Sequence, residues 1–288
     1  MGGGSWTTES FRKYSLDLHK AIRSDNTIDY SGTSAQNVFV QRTMSYQLDP
    51  KGVTRECRDS EEHPGTLPVI LALDVTGSMG EAAKEVASKL NQIMSTIFDS
   101  RKDVEFLIMG IGDLYCDHCP IQASQFESDI RIAEQLDLLY FEGGGGGNDW
   151  ESYTSAWWFG LHHTDLDCWK RGAKGVIITI GDEEINPCLQ CSKLNLALSD
   201  HEQEDVRTDL LYGQASEKFD IHHIHVSHDF GSKRREASAV ESFSEVIGAE
   251  HVHVSNVDGL GSIISEVILG SRETMPKVSK NKDGLISW

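Results

Sequence analysis

Three short, uninterrupted apolar runs constrain this chain most: residues 68–73 (PVILAL), 104–111 (VEFLIMGI) and 175–180 (GVIITI). A strand with one wet face alternates apolar and polar residues, whereas a run that is apolar at every position belongs to a sheet covered on both sides. Between the first two runs, Met79, Ala83, Val86, Leu90, Ile93 and Ile97 recur every three or four residues, the spacing of an amphipathic helix. The alternation continues with a weaker strand over 122–126, a helix over 129–139, and a further helix marked by Trp150, Tyr153, Trp157 and Leu161. After the GVIITI run come helices over 206–218, 235–247 and 260–269, with strands over 221–226 and 251–254 between them. Strands and helices at this spacing require right-handed crossovers. The expected fold is therefore α/β, a doubly wound, mostly parallel sheet with helices on both faces.

Around this pattern the chain divides into an irregular N-terminal extension (1–66), the sheet-and-helix domain (67–270) and a polar tail (271–288). The extension offers only a weak strand candidate at 37–41. It ends in a charge cluster, RECRDSEEH at 55–63, expected to be solvated. The formal charge is −19 over 288 residues. That field repels phosphate backbones, excludes general nucleic-acid binding and concentrates cations. No apolar run reaches the roughly 18 residues of a membrane span, and MGGGSW at the start lacks the charged and apolar regions of a signal peptide. No membrane partner and a cytoplasmic location are expected.

In an open parallel sheet, ligands bind beyond the carboxyl ends of the strands, where the strand order reverses. Directly after the first apolar run stands Asp74-Val75-Thr76-Gly77-Ser78. After GVIITI stands Gly181-Asp182-Glu183-Glu184. Between them a run of five glycines (143–147) leads into Asn148-Asp149-Trp150-Glu151-Ser152. Two carboxylates, two hydroxyls and a polar loop form an oxygen-rich donor set suited to a hard divalent ion, Mg²⁺ above all. Each piece alone also serves ordinary helix capping. The glycine run is no P-loop, because no Lys-Ser/Thr follows it, and no G-x-G-x-x-G follows the first strand.

At these residues the chain resembles the von Willebrand factor type A (VWA) domain and its metal-ion-dependent adhesion site (MIDAS), and more broadly prokaryotic or phage proteins of that type. The family pattern is Asp-x-Ser-x-Ser after the first strand, a Thr in a second loop and an Asp after the fourth strand. Here the first element reads Asp74-x-Thr76-x-Ser78 and the third is Asp182. The second departs from the pattern. No Thr follows the glycines until Thr154, which should already be helical, so Asn148 or Asp149 is the expected substitute. The resemblance implies a VWA-like fold and a protein-binding module without enzymatic activity. In it, Mg²⁺ or another divalent cation would capture an acidic side chain of a partner protein.

Six cysteines include two C-x-x-C pairs, Cys116/Cys119 and Cys188/Cys191, each just beyond an apolar strand. Two such knuckles can close a Cys₄ site for a structural Zn²⁺, although their separation is long for a zinc ribbon. The remaining alternatives are buried thiols and disulfides. His222, His223 and His225 alternate across a strand and cannot all face one ion. His228, past the strand end, is the histidine best placed for the functional face. Besides the binding module, two other functions fit these residues: a zinc-stapled scaffold whose adhesion site is silent, and a metal-dependent hydrolase with Glu183 or Asp149 as general base.

Overall fold

In a computed structural model that describes residues 4–143, 150–228 and 232–271, the centre is a six-stranded sheet. Its strands are β1 (Leu67–Asp74), β2 (Val104–Ile111), β3 (Ile121–Glu127), β4 (Gly175–Gly181), β5 (Phe219–Ser227) and β6 (Val252–Asn256). They lie in the order β6-β5-β4-β1-β2-β3, all parallel except β3, which runs antiparallel at one edge. The chain leaves β1 toward β2 and β3, then returns to the other side of β1 for β4. The order therefore reverses between β1 and β4, and their carboxyl ends flank the resulting crevice.

Successive side chains of β1 feed opposite layers. Val69, Leu71 and Leu73 enter one core and Ile70 and Ala72 the other, and all five are buried. The first core packs under three helices, α2 (Gly80–Ser100), the short α3 (Arg131–Asp137) and α7 (Leu260–Gly270). The second lies under α4 (Ser155–His162), α5 (Thr208–Ala215) and α6 (Lys233–Ile247). The mostly parallel α/β sheet covered on both faces is the architecture that the apolar runs imply.

The segment before β1 contributes to the first core. Trp6, Phe11, Ile28, Phe39 and Leu48 are all buried in it. Helix α1 (Thr8–Asp17) is capped by Thr7, whose hydroxyl accepts from the Ser10 N–H at 3.1 Å. The weak strand candidate at 37–41 is instead the end of a helical turn, Ala35–Val38. Phe39 beyond it stacks on Phe141, with ring centroids 5.8 Å apart. The charge cluster is not uniformly solvated either. Arg55–Cys57 forms a parallel pair with Thr164–Leu166. Arg55 is buried and donates to the Ala123 and Gln47 carbonyls at 2.8 and 3.0 Å, so its guanidinium is hydrogen-bonded to main-chain oxygens.

The helix expected from Trp150 onward begins later, at Ser155. Trp150–Glu151 is held extended by parallel pairing with Glu184–Ile185, just past β4. That short pairing places the chain after the glycine run against the loop after β4. No helix among the described residues is long and apolar enough to cross a membrane.

Candidate metal centre

Asp74 is the last residue of β1 and is buried. Its Oδ1 accepts from the Thr76 N–H at 2.8 Å and from the Thr76 hydroxyl at 2.6 Å, a local turn that ends the strand. Thr76 is still extended and is followed by a 3₁₀ turn, Gly77–Met79, that opens into α2. This change from strand to helix leaves Ser78 exposed at the crevice, where its hydroxyl donates to Asp182 Oδ1 at 3.0 Å. Asp182 stands immediately after β4, and its Oδ2 lies 2.9 Å from His228 Nε2. The sequence thus brings Asp74, Thr76, Ser78 and Asp182 to one rim, with His228 beside them.

Tyr153 joins the two acidic loops. Its hydroxyl donates to Asp74 Oδ2 at 2.8 Å and accepts from the Glu183 N–H at 3.3 Å. The ring is fully buried, in edge contact with His223 and tilted against Phe243. A β-carbon on Gly181 would run into it, so that position in β4 takes glycine for lack of space. Helical periodicity assigns Tyr153 to packing. Its hydroxyl, aimed at an aspartate across the sheet end, has no signal in the local sequence.

Electrostatically the rim is crowded with like charge. Burial, followed by the charge of Asp182, pushes the Asp74 carboxyl well above the usual carboxylate range, while the Thr76 and Tyr153 hydrogen bonds pull the other way. Glu151 is shifted in the same direction by burial and then by Asp74, Asp117, Asp113 and Glu183. Glu151 is buried, and its Oε2 has no hydrogen-bond partner among the described residues. A buried carboxylate oxygen left without a donor, next to a second buried carboxylate, is the arrangement that a cation relieves. The donor chemistry of the rim, carboxylate and hydroxyl oxygen, therefore fits a hard divalent ion. Glu151 enters this set only because its short strand pairs beside β4, a non-local contact that sequence spacing does not reveal.

Asn148 and Asp149, the expected second-loop ligands, lie outside the described residues. Thr154 is engaged elsewhere. Its hydroxyl accepts from Asn186 Nδ2 at 2.6 Å and its N–H donates to Asn186 Oδ1 at 3.2 Å.

The four knuckle cysteines are free thiols on neighbouring loops, joined by a hydrogen bond from Lys193 Nζ to the Tyr115 carbonyl at 3.3 Å. They are not gathered as the Cys₄ expectation requires. Cys116 is exposed and Cys119 is buried, so the first knuckle faces two ways, while Cys188 and Cys191 are half-buried. Burial raises the Cys119 and Cys188 thiols above their ordinary range. Among the described residues, the group of three or more His, Cys, Asp or Glu side chains whose ligand atoms lie within 4.8 Å of one another is Asp220, His222 and His251.

No family model matches the chain, and no curated protein matches it. Solved structures similar to it include the pilus adhesin SpaC of Lactobacillus rhamnosus GG in its open conformation (12% identity over 76% of this chain and 31% of that one, TM-score 0.47). Another is the von Willebrand domain of the type V pili tip protein Mfa5 of Porphyromonas gingivalis (11% identity, 71% of this chain and 94% of that one, TM-score 0.46). A third is proximal thread matrix protein 1 of the mussel byssus with a zinc-occupied MIDAS motif (14% identity, 71% and 45%, TM-score 0.42). The chain spans about a third of the length of the adhesin it matches. At these values the likeness is one of general layout, and the site rests on its own geometry.

Proposed function

We propose that this chain is a metal-dependent protein-binding module, without enzymatic activity, whose ligand is an acidic side chain of a partner protein. The observation that carries the reading is the buried Asp74 at the switch point of the sheet, with the exposed Ser78 hydroxyl hydrogen-bonded to Asp182 across it. Asp74, Thr76, Ser78 and Asp182 would hold Mg²⁺ or a similar divalent ion. Glu151 feels the charge of Asp74 and is a further candidate ligand, and Asn148 or Asp149 remains a candidate from the preceding loop. When bound, the ion supplies an open coordination position that a carboxylate oxygen can fill.

The chain's own groups do the rest. Tyr153 fixes the orientation of Asp74, and His228 that of Asp182. A cleft of about 320 Å³ opens beside them, lined by Asp182, Glu183, His225, His228 and Arg235 among others. The exposed Arg235 guanidinium gives an incoming carboxylate a second, bidentate contact at the mouth of an otherwise acidic rim.

Titration of the full chain with Mg²⁺, followed by selection of binders from a displayed random-peptide library with and without chelator, tests the reading. Saturable Mg²⁺ binding and acidic peptides that release on chelation are expected, with both lost in Ser78→Ala. Peptides that bind equally well in chelator, or that carry no common acidic residue, would refute it.

A further inference from the structure

A second cluster lies at the other end of β5, about 20 Å along the strand from His228. His222 and Asp220 stand on the same face of β5, and His251 ends a short 3₁₀ turn (Ala249–His251) that leads into the edge strand β6. The His222 Nε2 atom is 3.7 Å from Asp220 Oδ2, too far for a hydrogen bond, and the His222 and His251 rings are 4.9 Å apart. Both His222 Nε2 and His251 Nδ1 are buried and have no hydrogen-bond partner among the described residues. Two buried, unpartnered imidazole nitrogens facing one carboxylate are costly as they stand. Neighbouring ligand atoms on a tetrahedral ion at about 2.0–2.1 Å stand roughly 3.4 Å apart, close to the spacing seen between His222 and Asp220.

We propose that Asp220, His222 and His251 form a second cation site, for Zn²⁺ or a similar borderline transition ion, separate from the oxygen-rich rim, with His253 as the positioning residue for His222. The ligand types argue for this class of ion. Two imidazoles and one carboxylate match zinc, whereas Mg²⁺ prefers oxygen throughout. The second contact of His222 also fits. Its Nδ1 lies 3.2 Å from His253 Nε2, and a proton donated from Nδ1 leaves the Nε2 lone pair facing Asp220.

Three protein ligands leave one position open toward a cleft of about 400 Å³ lined by Asp220, His222, His253, Ile263 and Glu266 among others. An ion held there ties the turn before β6 to β5 and so fastens the last strand of the sheet.

Cobalt serves as the probe. Titrating the full chain with Co²⁺ should give a visible absorption of a nitrogen- and oxygen-ligated ion, displaced by Zn²⁺, present in Ser78→Ala and lost in His251→Ala. His253→Phe should keep the site but weaken it about 10–100-fold. With the rim disabled, Zn²⁺ should also raise the melting temperature of Ser78→Ala and not that of Ser78→Ala/His251→Ala. The proposal is overturned if His251→Ala binds Co²⁺ as the wild type does, if neither binds it, or if the spectrum shows sulfur-to-cobalt charge transfer, which would move the ion to the cysteines. Loss of the absorption in Ser78→Ala with retention in His251→Ala would place the ion at the rim.

Discussion

Asp74, Tyr153 and Glu151 show how a few side chains set the character of the rim. Asp74 is held on both oxygens, by Thr76 on one and Tyr153 on the other, so its position does not depend on a bound ion. Gly181→Ala tests the space that Tyr153 needs. The added methyl must displace the ring, and the expected loss is about 1–3 kcal/mol of stability, read by urea unfolding, together with a changed near-ultraviolet tyrosine signal. An unchanged signal would mean that the ring does not fill that space. Glu151 makes a separate prediction. If its unpartnered oxygen faces the ion, Glu151→Gln should weaken divalent-ion binding about tenfold or more while leaving the fold intact, as calorimetric titration would show. Equal affinity in the variant would remove Glu151 from the ligand set.

At the scale of elements, the leading segment and β2 carry the informative contacts. Trp6 is 6% exposed, and its indole N–H donates to Asn91 Oδ1 on α2 at 3.2 Å. Trp6→Ala should therefore cost about 3–5 kcal/mol in denaturant unfolding, as a core truncation does. A loss below about 0.5 kcal/mol, within the range of ordinary surface changes, would mean that the segment before β1 is an appendage. Strand β2 carries a buried acid, Glu105, whose carboxyl is pushed up to about 7 by burial, while a hydrogen bond from the Cys57 thiol pulls it down and Glu127 and Asp59 add like charge. The sign follows from proton binding. Between about pH 4.5 and pH 7 the unfolded chain has released this proton and the native chain still holds it. The contribution is fully present below pH 4.5, falls as pH rises to about 7 and is flat above, by at most about 3 kcal/mol. Glu105→Gln should flatten that slope. Urea midpoints at about pH 5 and pH 7.5 that differ as much in the variant as in the wild type would rule the assignment out.

For the molecule as a whole, a formal charge of −19 means self-repulsion in the folded state. Raising NaCl from about 0.01 M to about 0.15 M shortens the screening length from about 30 to about 8 Å and should raise the melting temperature. At matched ionic strength, Mg²⁺ should raise it further in the wild type but not in Ser78→Ala. Equal shifts in both proteins would reduce the effect of Mg²⁺ to screening.

The order of residues already implies the sheet and where its rim lies. Runs that are apolar at every position can satisfy their side chains only in a two-sided layer, and a polar Asp-x-Thr-x-Ser directly after such a run must emerge at its carboxyl end. Counting past the end of a strand also puts His228 on the functional face, while its pairing with Asp182 is a contact between remote loops. Which remote residues meet depends on the folded arrangement. Glu151 reaches the neighbourhood of Asp74 through a two-residue pairing with Glu184–Ile185, and Arg55 leaves water because main-chain carbonyls wait for it. His222 is correctly separated from His223 and His225 by strand alternation, but its partners come from the next strand and the turn before it. Local periodicity reports which face a side chain takes. What stands opposite is set by strand order and register, which are global solutions to burying the whole apolar surface at once.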